Sequence, residues 1–240
     1  MDMEFKIRKG NIVDAKVDAI VLPANSELKE GSGASETIFK AAGRKFLAKA
    51  CKEIGFCEMG SAVPTLGYEL NSNYIIHAVV PKWIDGEHGE YHMLCAAYAA
   101  ALEVADAMEC TSMAFPLLAS GNNGFDVDLA FEIAIKSIEK YQTKNLKDIQ
   151  IIVFGNATSE KVKDKGYEVT LLPVDLAREK EKYEIAKRKQ KAADEAKDAA
   201  QQFLEDRIKK GIDYFKIPEN REKAFQFGVE IVKTVMSGKN

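Results

Sequence analysis

The stretch that decides the fold begins Val17-Asp18-Ala19-Ile20-Val21-Leu22-Pro23-Ala24-Asn25, passes through Gly31-Ser32-Gly33-Ala34-Ser35 and reaches Ala41-Ala42-Gly43. Asp18 to Leu22 is a short apolar run and predicts a strand. From Ser35 to Cys51, apolar residues at Ile38, Ala41, Ala42 and Phe46 keep helical spacing, which predicts one helix. Between them, glycines free the backbone to turn sharply, and the unbonded N–H groups of a helix start then point at whatever approaches. A second segment of this kind runs Pro116-Leu117-Leu118-Ala119-Ser120-Gly121-Asn122-Asn123-Gly124-Phe125, again with a helical pattern behind it. Two such loops facing each other fit a diphosphate flanked by sugars. Neither is a Walker A loop, because no Gly-Lys-Ser/Thr follows, and neither has the G-x-G-x-x-G order of a dinucleotide fold.

Outward from these loops, strands and helices alternate. Strands are expected at Phe5–Arg8, Ala62–Gly67, Tyr74–Val80, Ser112–Phe115 and Ile149–Phe154, and helices at Glu90–Met108 and Asp126–Tyr141. Continuous apolar runs such as Ile149–Phe154 suit strands covered on both faces. The order therefore predicts a three-layer α/β/α fold. After Pro173 the texture changes. Asp175 to Lys210 has no proline or glycine and is rich in Ala, Lys, Glu, Asp, Gln and Arg, so it reads as one long helix or two with a break. A last helix begins at Pro218-Glu219-Asn220 and carries Phe225, Phe227, Val229, Ile231, Val232 and Val235. Its apolar side needs a partner: the preceding helix, the main domain, a second copy or another protein. The domain division expected is 1–173 and a charged, mainly helical extension over 174–240.

The formal net charge of −3 and pI near 5.8 leave no overall basic field to attract nucleic acid. No stretch approaches the roughly 18 apolar residues of a membrane span, and Met1-Asp2-Met3-Glu4-Phe5-Lys6 lacks the apolar core of a signal peptide. Cys51, Cys57, Cys95 and Cys110 lack a C-x-x-C pair and read as reduced thiols of a cytoplasmic protein. His88 and His92, with Glu87 and Glu90 beside them, share a helical spacing but lack a third ligand, so no metal is expected. His77 lies in an apolar strand and reads as a satisfied core histidine.

From about Phe5 to Gly166 the chain resembles the macrodomain family, through several segments in the family's order. Gly10-Asn11-Ile12-Val13 resembles its G-D-I-T start, and Val17 to Asn25 its V-D-A-I-V-N-A-A-N. Gly31-Ser32-Gly33, Ile38 and Ala41-Ala42-Gly43 match its G-G-G loop, isoleucine and A-A-G without a gap. Gly60 to Tyr68, Tyr74 to His77, Pro81-Lys82-Trp83, Phe115-Pro116 and Ser120 to Phe125 complete the series. The motif layout is nearest to the MacroD-type branch. The resemblance implies a mixed central sheet and a cleft for ADP-ribose. Asn11 would accept from the adenine amino group and the Ile12 N–H would help hold the base. Ser120, Gly121, Asn122, Asn123, Gly124 and Phe125 would wrap the diphosphate, with Phe125 either beside the proximal sugar or anchoring the loop. Asn25 with Gly31, Ser32, Gly33, Ala34 and Ser35 would contact the distal ribose. Asn156 would sit near the adenine. No separate cofactor is implied.

The departures bear on chemistry. Many hydrolytic members of the MacroD-type branch carry an aspartate at the position of Ser35, and a neutral serine is no base at pH 7 without a partner. The simpler reading of Ser35 is a helix cap. Glu36, adjacent, points roughly 100° away on a helix. Leu22 replaces the first asparagine of N-A-A-N, Asn123 replaces an aromatic, and Gly155-Asn156-Ala157-Thr158 supplies no ring where some members stack adenine. Three functions remain open: a binder of ADP-ribose, of an ADP-ribosylated protein or of a related metabolite; a hydrolase of ADP-ribosyl or O-acetyl-ADP-ribose esters using Asn25, Ser35 and a water oriented by the ligand's own phosphate; or an interaction protein, dimeric or bound to a partner through residues 174–240.

Overall fold

A computed structural model describes the backbone of residues 4–216. Seven strands form one sheet: β1 (Glu4–Lys9), β2 (Ala19–Ala24), β3 (Ala62–Leu66), β4 (Tyr74–Val79), β5 (Ser112–Pro116), β6 (Asp148–Val153) and β7 (Thr170–Leu171). Their spatial order is β3-β4-β2-β5-β6-β1-β7. β3 pairs antiparallel with β4 and the other pairings are parallel, so the sheet is mixed. The helices are α1 (Ala34–Ala41), α2 (Arg44–Ile54), α3 (Glu90–Ala107), α4 (Val127–Lys140), α5 (Asn156–Asp164) and α6 (Pro173–Lys216).

The alternation of β2 shows why three layers form. Ala19 and Val21 point into a core with Tyr98 and Leu102 of α3 and Phe131 and Ile135 of α4. Ile20, Leu22 and Ala24 point the other way, into a core with Ile38 and Phe39 of α1 and Leu47 of α2. A strand whose neighbours i and i+1 are both buried must be covered on both faces. The family's first asparagine position, Leu22, is thus 1% exposed beneath α1 and does not reach the cleft.

Other sequence expectations need correction. Ser35–Cys51 is two helices, not one. The chain breaks at Gly43, whose φ of 84° belongs to the left-handed region, and a Cβ there would lie 3.0 Å from the Glu69 carboxyl group and the Phe46 ring. α5, β7 and a 3-10 turn at Ile12–Asp14 carry patterns too short or too polar to have been read. Contacts divide the chain into two units, residues 1–177 and 178–240. Within the second, α6 is continuous to Lys216 without a break. The expected last helix from Pro218 lies outside the described residues. No described helix is long and apolar enough to cross a membrane.

Candidate functional site

Parallel strands end together at one edge of the sheet, and there the chain leaves a cleft of about 920 Å³. Its lining follows strand order. Ile152, Phe154 and Thr158 stand at and beyond the end of β6, Pro116, Leu117 and Ala119 to Asn123 at and beyond the end of β5, Pro23 to Ser26 and Gly31 to Ser35 at and beyond the end of β2, and Val80, Pro81, Lys82 and Ile84 beyond β4. Most of the residues expected to bind ligand are gathered here: Asn25, Gly31, Ser32, Gly33, Ala34, Ser35, Ser120, Gly121, Asn122 and Asn123.

The second loop is built to hold an anion. Ala119 takes φ 62° and Gly124 φ 80°, bending the chain back so that the Phe125 N–H donates to the Ala119 carbonyl. Gly124 N–H closes on the Gly121 carbonyl at 2.9 Å. Between these closures the amides of Ser120, Gly121, Asn122 and Asn123 find no acceptor among the described residues. Successive unbonded N–H groups in a concave turn form an anion-binding nest. The loop is fastened beneath: the Leu118 N–H donates to the buried Tyr98 hydroxyl, and the Phe125 ring packs edge-on against Trp83 at 5.0 Å. Phe125 is 3% exposed and does not line the cleft, so of its two expected roles it fills that of anchor. Asn123, where an aromatic was expected from the resemblance, donates its side-chain amide to the Pro81 carbonyl and so ties the loop to the end of β4.

The first loop is pinned differently. Asn25 both donates to the Lys29 carbonyl and accepts from the Lys29 N–H. Arg44 bonds Glu30 at 2.8 Å and reaches Glu36, which therefore faces the helix surface and not a substrate. Ser35 is not the cap of α1: the cap position is Gly33, and the buried Ser35 hydroxyl accepts from the Gly31 N–H at 3.0 Å, closing the loop on itself. The two loops meet where the Asn122 side-chain amide donates to the Ser32 hydroxyl.

At the β6 end, the sequence reading missed a residue. β6 stops at Val153, so Phe154 leaves the sheet and stands 79% exposed on the cleft wall. It was counted as the last residue of a buried apolar run. The Gly155 that follows, in a left-handed conformation at φ 84°, is the signal that would have ended the strand sooner. Asn156 is the exposed first residue of α5; the wall there is made by Phe154 and Thr158. Asn11 and Ile12 lie at the end of β1, the strand beside β6, outside the lining; the Asn11 side-chain oxygen accepts from the Val13 N–H at 3.4 Å.

The cleft contains three titratable side chains, Lys82, His88 and Glu90. Asp85, His88 and Glu90 bring candidate ligand atoms within 4.8 Å of one another; His92, which shares the helical spacing of His88, is not among them. The Glu90 carboxylate already accepts from the N–H groups of Ile84, Asp85, Gly86 and His88. Burial alone would raise its pKa, and these backbone donors outweigh that, holding it down at about 2. Its oxygens brace a loop, which leaves little for a cation.

Residues 21–134 match the family model described as Macro domain. A macro domain-containing protein of Caldanaerobacter subterraneus is 39% identical over 173 residues, covering 70% of this chain and 98% of its own length. The chain belongs to the macro domain family. A macro domain-containing protein of Listeria monocytogenes is 41% identical over 160 residues, 63% of this chain and 90% of that protein. The O-acetyl-ADP-ribose deacetylase of Escherichia fergusonii is 37% identical over 155 residues, 63% of this chain and 87% of that enzyme. Among solved structures, the Oceanobacillus iheyensis macrodomain with ADP superposes with a TM-score of 0.64 at 28% identity, covering 68% of this chain and 90% of that one. This macro domain therefore shares its architecture with a nucleotide-bound relative, and its sequence relationship extends through both loops.

Proposed function

We propose that this macro domain, residues 1–173, binds ADP-ribose, free or carried on a protein or metabolite, in the cleft between the two loops. The observation that carries the reading is the run of four unbonded amides from Ser120 to Asn123. A diphosphate supplies the acceptors they lack, and charge-assisted hydrogen bonds are the strong ones. Phe154 offers its face to an adenine at one end, and Asn25 with the Gly31–Ser35 loop stands at the other for the distal ribose.

Binding is favoured over hydrolysis by the carboxylates. Glu90 is the one carboxylate on the cleft wall among the described residues, and it is spent on the backbone. Ser35 is a neutral hydroxyl engaged by Gly31. The relative that deacetylates O-acetyl-ADP-ribose keeps the hydrolytic reading in view for ester ligands, and the same sample tests it by assay for released acetate. Four unpaired thiols suit a reducing compartment, and we place the protein in the cytoplasm.

Calorimetric titration with ADP-ribose, using AMP and ADP as controls, tests the reading. Micromolar binding that strengthens from AMP to ADP to ADP-ribose is expected; binding of AMP as tight as ADP-ribose would remove the diphosphate and distal ribose from the account. Phe154→Ala is expected to weaken ADP-ribose about tenfold, since a stacked base is worth about 1–3 kcal/mol on alanine substitution. The exposed position of Phe154 means the melting temperature should not move, and an unchanged affinity would relocate the base.

A further inference from the structure

The cleft runs on past the loops. From β6 through β5 and β2 to β4 is three strand spacings, about 14 Å at roughly 4.8 Å each. Met59, Ile84 and Met93, on segments next to the β4 end, line the cleft together with Lys82 and His88. The three apolar side chains are 45%, 65% and 38% exposed, so they are not core residues glimpsed from the surface but apolar surface lining a concave site. Each stands on fixed backbone. Ile84 is held by its N–H bond to Glu90 at 3.1 Å, and Met93 lies in the first turn of α3 with its N–H on the Gly89 carbonyl. Met59 precedes Gly60, whose N–H donates to the Val79 carbonyl at 3.0 Å.

We propose that this end of the cleft is a subsite for an apolar acyl chain esterified to the distal ribose of the ligand, longer than acetyl. The proposal rests on the reading that ADP-ribose lies with its adenine at Phe154 and its distal ribose at Asn25. A substituent on that ribose continues along the cleft in the same direction and meets Met59, Ile84 and Met93. Two thioethers and a branched alkyl group offer dispersion contact and adapt to chain shape. A polypeptide laid here would bring backbone N–H and C=O groups that need partners. The polar groups at hand are Lys82 and a His88 whose Nδ1 is already engaged with Asp85 at 2.9 Å. A saturated chain brings no such requirement. The cleft volume, near the upper end of the about 300–1,000 Å³ usual for small-molecule sites, fits a nucleotide carrying an extra group.

The test is calorimetric titration of the full chain with ADP-ribose and with two analogues bearing an acetyl or a hexanoyl amide on the distal ribose, the amide resisting hydrolysis. Each fully buried methylene strengthens binding by about fourfold. Four extra methylenes on a half-open wall are therefore expected to make the hexanoyl analogue about tenfold tighter than the acetyl one. In the double variant Met59→Ser, Ile84→Ser this ratio between the two analogues should fall below about twofold. Equal affinity for the two analogues, in protein that binds ADP-ribose normally, overturns the subsite and leaves the binding reading standing. Tighter binding of an ADP-ribosylated glutamyl peptide than of the hexanoyl analogue assigns the wall to protein and also overturns it. Loss of ADP-ribose binding itself would overturn the binding reading and the subsite with it.

Discussion

Gly121→Val is expected to weaken ADP-ribose binding by about a hundredfold or more while leaving the melting temperature where it is. A Cβ built on Gly121 meets nothing within 4 Å, and its φ lies outside the left-handed region, so a side chain is tolerated by the fold. The open space it would enter is the cleft. A valine there lifts the diphosphate off the neighbouring amides. Losing two hydrogen bonds to a charged group, at about 1.5–3 kcal/mol each, is a loss of about 3 kcal/mol or more. Calorimetry reads the affinity and a thermal melt reads the fold. A variant that binds like the parent would show that the phosphates do not lie on this loop.

The second large effect is on stability in mild acid. His77 is completely buried in β4, with its Nε2 3.0 Å from the Thr65 hydroxyl. Burial pushes its pKa down from 6.5 to about 4. The folded protein therefore keeps the imidazole neutral where the unfolded chain, titrating near 6.5, takes up a proton. Above that pH both states are neutral and no penalty exists. As pH falls from about 6.5 to about 4 the unfolded state gains protons first, and stability drops by about 3 kcal/mol in all. Denaturant unfolding at pH 7.5 and 4.5 measures the drop. Much of it should vanish in His77→Gln if that variant keeps the bond to Thr65; an equal drop in both proteins would assign the acid sensitivity to other groups. Carboxylates held low in the fold, Glu90, Asp18 and Asp106, begin to lose their contribution only as pH falls through about 5, so the upper part of the window, from about pH 6.5 to 5, belongs to His77.

Period and punctuation made the layers legible. β2 reads as a strand because Ala19 to Leu22, four apolar residues in a row, cannot be half-solvated, and the glycines of both loops mark where backbone must approach something. Ten of the residues that the resemblance implies for the ligand line one cleft. Single-residue geometry was beyond that reading. Leu22 was read as a change to the pocket, yet strand alternation turns it into the core under α1. Phe154 was read as core and is the ring on the wall, because one residue past the sheet reverses its environment. Ser35 was read as a cap, but the cap falls at Gly33 and the hydroxyl serves the loop. The apolar wall of Met59, Ile84 and Met93 comes from three segments far apart in sequence, so no local pattern announced it.

The most direct measurement is a two-dimensional nitrogen–proton spectrum of the protein titrated with ADP-ribose, with the backbone amides assigned. The account predicts that the largest shifts fall on Ser120, Gly121, Asn122 and Asn123, with smaller ones at the Gly31–Ser35 loop and beside Phe154. Saturating ADP-ribose that leaves those four amides unmoved, or shifts that cluster elsewhere, would contradict it.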